Sequence, residues 1–238
     1  MSKRGTLSLR CRTALRTCRG ILKLTRTSRR RSKRTVNRNG AIIELLLEKA
    51  DRTALAVLFL GARGYAEDGL VLARSLAGLA IDVSYLAAND ADRFTSYRAT
   101  GREARRRMAE QCGFAPPDAA AADWTDVKRR AKRWQRGGAI YERAKKADRL
   151  RLYEYAYRHG SSFEHSDAWS LLTYEPQNAS SRDAVLHLSL LVVAYALVAS
   201  HQAWCRFFAI DHPSTDDAIK RHFLAAFPST PEAVTTTT

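Results

Sequence analysis

A chain of 238 residues, 45% of them hydrophobic and 27% charged, is long enough for one domain with its own core and too apolar to be disordered throughout. The formal net charge of +16 is unevenly spread: residues 1–40 hold fourteen Lys and Arg and no acid, leaving 26 basic against 24 acidic residues after Gly40. The basicity is therefore a property of the N-terminal segment, and the four cysteines (Cys11, Cys18, Cys112, Cys205) lack the paired C-x-x-C spacing of a zinc ribbon and indicate no disulfide framework.

Residues 1–40 are rich in Arg, Ser and Thr, a composition that buries too little apolar surface to offset its ordering entropy, so a disordered basic tail is expected there. Three roles fit such a tail: an arm on phosphate backbones, an organelle transit peptide, or an extension upstream of the true start. Leu15, Ile21, Leu22 and Leu24 add a faint amphipathic pattern, and the segment lacks the continuous apolar run of a secretory signal.

From Ile42 the apolar residues recur at three- and four-residue steps, with Leu45, Leu46, Ala50, Ala54, Val57 and Leu58 on one broad face of a predicted helix. Gly61, Gly64 and Gly69 interrupt or kink it. A second helix is predicted over about 66–88 on Leu70, Val71, Leu76, Ile81 and Tyr85. Asn89, Asp90 and Asp92 mark its end and cap the next element, which carries Phe94 and Tyr97. Residues 101–115 read as a short basic helix (Arg102, Arg105, Arg106, Arg107) closed by Cys112-Gly113 and Pro116-Pro117. Asp123 is a predicted N-cap for a helix that holds Trp124 and Trp134. Its cations read first as a solvated face, with Arg129, Arg130 and Arg133 as nucleic-acid-binding candidates.

One long helix is predicted from Ala139 through Tyr157. Pro176 and Asn178 break the chain before the most apolar helix, about 181–210, in which Asp183, His187, Ser189 and His201 suit a buried core helix better than a membrane span. His212-Pro213 ends that helix, and a short helix near 216–227 precedes a disordered threonine tail. The expectation is an all-α protein: a basic tail over 1–40, a single helical bundle over 41–212, and a short helix with its tail over 213–238. A reducing cytoplasm fits the cysteines.

The one stretch that suggests chemistry runs from Arg158 to His165. On a continuous helix these two residues lie almost two turns apart on one face. If Gly160 breaks the helix, Ser161 and Glu164 have the spacing of a capping box and His165 sits in the next first turn. Arg beside His suits phosphodiester cleavage in RNA, where the 2′-OH is the internal nucleophile: the guanidinium stabilises phosphoryl charge and the imidazole moves a proton. His159, Ser162 and Tyr157 are candidates to orient phosphate or imidazole, and the chemistry calls for no metal and no cofactor.

A structural reading competes with this one. In it Arg158 pairs with an acid such as Asp68, Asp82 or Glu154, and His165 is a hydrogen-bonded interhelical residue. Arg74, inside an apolar helix with Asp68 and Asp82 within two turns, is expected to anchor a polar network. His187 and His201 lie fourteen residues apart with no carboxylate pattern, and read as core or rim residues rather than metal ligands.

Two segments together resemble the bacterial domain-of-unknown-function family 5677. The first runs from Tyr65-Ala66-Glu67-Asp68-Gly69 through Arg74-Ser75-Leu76 and Ile81-Asp82 to Arg93-Phe94. The second is the Tyr-rich stretch Tyr153 to Tyr157-Arg158 with Ser161-Ser162 and His165-Ser166. The resemblance spans about 45–205 and departs at Ala77-Gly78, where an acid is expected. It implies an all-helical fold and no established activity. The second segment also resembles the Arg-polar-His pattern of HEPN domains, with His159 as the polar residue. That resemblance implies a metal-independent, usually dimeric endoribonuclease of toxin–antitoxin or phage-defence systems, with Arg158 and His165 as the catalytic pair and RNA, a second copy and an antitoxin or defence protein as partners.

Overall fold

The structure, a computed structural model, describes residues 7–88, 90–113, 123–136, 139–158 and 179–228. The helices in chain order are α1 (Leu9–Arg31), α2 (Arg38–Ala62), α3 (Ala66–Leu86), α4 (Ala91–Gln111), α5 (Trp124–Arg136), α6 (Ile140–Lys146) and α7 (Leu150–Tyr153). A π-helical turn (Glu154–Arg158), α8 (Ala179–Phe208) and α9 (Pro213–Ala226) complete the series, and no strand occurs among the described residues. The fold is all-α, as the spacing of apolar residues predicts.

The centre of the bundle is the pair α3 and α8. Small residues on α3, Ala66, Gly69, Ala73, Ala77 and Ala80, are all buried and allow close approach, while Leu70, Leu76 and Ile81 fill the space between. α8 is buried on every side from Leu190 to His201, so it shows no polar face. α3 and α8 are long and apolar enough to cross a membrane, and more than half of each such window is buried inside the bundle. α2 lies against α3 and α8, α1 against α8 and α9, and α6, α7 and the π turn against α3. Three clusters result: a large one around α1, α3 and α8, a smaller one in which Phe94 and Trp134 meet Trp204, Ile43 and Leu86, and a small one of Ala99, Val127 and Ala131 between α4 and α5.

The N-terminal segment differs from the disordered tail expected of it. Ser8 Oγ accepts the Cys11 N–H (3.3 Å) and caps a helix that occupies most of residues 7–31. Cys11, Ala14, Leu15, Cys18, Ile21 and Leu22 form one buried stripe at helical spacing, while Arg12, Arg16 and Arg19 face water. Cys18 Sγ donates to the Leu190 carbonyl (3.2 Å), and burial pushes its pKa up. Asp51, buried on α2, receives Arg26 Nε (2.9 Å) and Arg29. Glu44 takes Arg34 (2.7 Å) and the Trp204 indole N–H (2.9 Å). The cations that made the segment look unfoldable are in part answered by acids of α2.

Other boundaries also shift. Asp90 Oδ1 accepts the Asp92 N–H (2.8 Å), so α4 starts at Ala91 and the basic helix expected from 101 is its second half. Asp123 caps α5 as predicted, accepting from Thr125 N (3.0 Å). The single helix expected over 139–157 is broken at Asp148, whose left-handed φ of +55° ends α6 while the Arg149 N–H returns to the Ala144 carbonyl (2.7 Å). No glycine or proline marks that break. Pro213, expected only to end α8, also opens α9, where its fixed φ suits the first turn. Gly64, at φ +80°, makes the turn between α2 and α3.

Candidate functional site

Arg158 is the last residue of the π turn, described through its backbone. His159, Ser162 and His165, with Pro176 and Asn178, lie outside the described residues. What the structure does describe is the platform that leads into this stretch. Tyr157 stacks on Tyr153 (centroids 5.0 Å, planes 11° apart), and Tyr153 meets Tyr141 edge-on at 5.4 Å. The Arg74 guanidinium lies 4.8 Å over the Tyr157 ring. The Tyr157 hydroxyl reaches α3 at Gly78, where an added Cβ would lie only 2.8 Å from it. Gly78 is thus the seat of a phenol at the place where the family resemblance leads one to expect an acid. Burial raises the Tyr157 pKa, with Arg74 opposing it.

The expected network of Arg74, Asp68 and Asp82 is distributed differently. Asp82 pairs with Arg143 of α6 (2.7 Å), and that guanidinium also donates to the Trp134 carbonyl (3.3 Å) and lies 4.8 Å over the Trp134 ring. Burial raises the Asp82 pKa despite the cation beside it. Asp68 is exposed in the first turn of α3, where a negative charge favours the helix dipole. Sequence reasoning missed Arg143. The signal for it was Asp82 itself, since an acid on a mostly apolar helix requires a cation from another element.

A second candidate region is the α4/α5 hairpin. Its two helices hold twelve Lys and Arg against four Asp and Glu, while the rest of the chain holds 28 against 20, fourteen of those cations in residues 1–40. The near-neutral balance after Gly40 therefore hides a strongly basic pair of helices. Of the predicted nucleic-acid residues, Arg129 and Arg130 both engage Asp126, the latter at 2.6 Å, and Arg130 also lies 3.9 Å from Asp92. Arg133 is exposed.

Glu103 is buried on α4 and receives Arg106 and Arg107, each at 2.9 Å, and these bonds hold its pKa at about 2. A groove of about 480 Å³ lies beside it, lined by Arg106, Arg107, Lys128 and Lys132. A further groove of about 250 Å³ is lined by Arg38, Arg98 and Arg102, with Asp126 and Arg130 at its α5 wall. Arg102 was legible in the sequence only as one cation of a basic helix, and Arg38 and Arg98 not as site residues at all, because the three come from two helices and share no motif.

A family model described as "Family of unknown function (DUF5677)" matches residues 40–178, more than half of the chain. The matched span includes α2 to the π turn, and so contains Arg74, the basic hairpin and Arg158. No curated protein and no solved structure matches.

Proposed function

This chain belongs to DUF5677, a family of unknown function, and we propose that it is an RNA-binding helical protein that cuts RNA without a metal, by HEPN-like Arg/His chemistry, in a toxin or phage-defence setting in the cytoplasm. The observation that carries RNA binding is the concentration of charge on one hairpin: twelve cations against four acids on its two helices, the most cation-rich part of the chain after Gly40. Phosphate backbones answer such a surface without sequence readout. Cleavage is assigned to Arg158, which stabilises the phosphoryl charge, and His165, which moves the proton. Arg158 ends a π-helical turn, a distortion frequent at functional sites. In the HEPN arrangement two such pairs meet across a dimer axis, so a homodimer and an antitoxin or defence partner belong to the proposal.

A non-catalytic helical interaction module is the second reading. It is favoured by Arg74 and Asp82, which lie against Tyr157 and Arg143 respectively, as members of an interhelical network do.

The deciding experiment is incubation of the purified full chain with total RNA in EDTA, beside His165→Ala. The nuclease reading expects cleavage by the wild type and a loss of at least about 100-fold in the variant, the scale of a removed general acid or base, with an unchanged melting temperature. Intact RNA with both proteins, together with a lowered melting temperature for His165→Ala, selects the non-catalytic module.

A further inference from the structure

We propose that Arg38, Arg98 and Arg102 form a seat for a phosphate group at the root of the basic hairpin. Arg38 is the first residue of α2, and Arg98 and Arg102 lie one turn apart on α4, so their side chains line one groove of about 250 Å³. Arg98 is half-buried and its Nη1 is fixed by Asn39 Oδ1 (2.9 Å), which positions the guanidinium rather than leaving it to wander.

What sets these three cations apart is that they converge on one groove without a counter-charge of their own. Among the described residues none of the three lies within ion-pair distance of an acid, whereas Arg106, Arg107, Arg129 and Arg130 of the same hairpin are all paired. The nearest carboxylate in the groove wall, Asp126, is already taken by Arg129 and Arg130. Burial and the two neighbouring guanidiniums disfavour the charge on Arg98, so its pKa is lowered. A bound anion removes that repulsion. A guanidinium presents a planar fork of donors matched to phosphate oxygens, and three of them suit a phosphate with several acceptors better than one carboxylate. The seat performs no bond chemistry; it holds a phosphate.

The source of that phosphate rests on the RNA reading above, because a free phosphate-bearing ligand has the same chemistry. The experiment separates the two. Full-length wild type, Arg38→Gln/Arg102→Gln and a control, Arg12→Gln/Arg19→Gln on the exposed face of α1, are titrated into labelled single-stranded RNA over a salt series. Arg38 and Arg102 are exposed, as are Arg12 and Arg19, so both pairs remove equal charge without touching the core. In parallel, melting is followed with inorganic phosphate against chloride at matched ionic strength.

The seat predicts that the Arg38/Arg102 pair binds RNA about tenfold more weakly and lowers the salt slope by about 1.4, roughly 0.7 per lost phosphate contact, while the control changes less. Phosphate raises the melting temperature of the wild type and not of the seat variant. Arg98→Lys, which keeps the charge and loses the fork, falls between them. RNA binding unchanged in the seat variant, or weakened equally in the control, overturns the seat and leaves the RNA reading standing. Wild type that binds no RNA but is stabilised by phosphate only through these arginines keeps the seat and removes the RNA reading. A wild type indifferent to both RNA and phosphate overturns both.

Discussion

His187 shows how one side chain ties the basic segment to the core. Its Nε2 accepts the Arg10 Nε–H (3.1 Å), and its ring lies 5.2 Å from Phe227. Burial first, and Arg10 second, hold its pKa at about 4, against 6.5 for the free side chain. Between those values the unfolded chain binds a proton that the folded chain refuses, so stability rises with pH across that window. It is complete above 6.5 and falls as pH drops toward 4. Glu103 acts in a lower window with the same sign: its depressed pKa stabilises the fold above 4.5, and that contribution is lost as pH falls toward 2. We therefore expect the urea midpoint of the wild type to fall as pH goes from 6.5 to 4, with a flatter profile for His187→Gln. A wild-type midpoint that stays level through that window contradicts the assignment. At this scale the sequence is partly legible. Arg74 could be read as an arginine needing company, but an aromatic face such as Tyr157 leaves no charge pattern to find. His187 could be read as a rim residue, yet its partner lies 177 positions away.

Individual helices were legible wherever large apolar residues carried the spacing. Leu70, Leu76 and Ile81 of α3 announce a helix; Cys11, Ala14 and Cys18 of α1 announce it only once they are counted as apolar, and Arg-rich surroundings mask them. Composition averages over a face and a back, and α1 is an element whose face is small and whose back is cationic. The helix is docked by that stripe and by Asp51, a buried carboxylate holding Arg26 and Arg29. Removing the carboxylate leaves two guanidiniums without their acid at the α1/α2 boundary, one of them nearly sealed from water. Asp51→Ala is expected to lower stability by about 2–3 kcal/mol and to speed tryptic cleavage at the arginines of α1 ahead of cleavage in α3. Equal cleavage patterns in wild type and variant would show that the stripe alone docks the helix. The break at Asp148 was illegible for a different reason: a left-handed aspartate is permitted there by context, and no local residue type demands it.

At the scale of the whole molecule, packing sets the α4/α5 hairpin apart from the rest. α3 and α8 are covered by α1, α2, α6 and the π turn, whereas α4 and α5 pack chiefly on each other over a small core of Ala99, Val127 and Ala131. The hairpin meets the bundle through Phe94, which is 5.9 Å from Phe207, and through Trp134 against Tyr85, with Arg93 over the same tyrosine at 4.2 Å. Tyr97 meets Trp134 inside the hairpin itself. The hairpin is the most cation-rich part of the chain after Gly40, and its contact with the body is slender. The basicity of the hairpin was hidden in the sequence because the acids of the other segments after Gly40 offset it. An element held by few buried contacts opens by sub-global unfolding, while the central helices open only with the whole fold. Amides in the middle of α4 and α5 are therefore expected to exchange at least about tenfold faster than those in the middle of α3 and α8, a difference of about 1.4 kcal/mol in opening free energy. Hydrogen-exchange mass spectrometry measures this directly. Single-stranded RNA should slow exchange in the hairpin and leave α8 unchanged, because a ligand protects the unit it binds by its free energy of binding. Uniform protection of all four helices in the free protein would mean that the hairpin is part of the core, and that the basic surface cannot open independently of it.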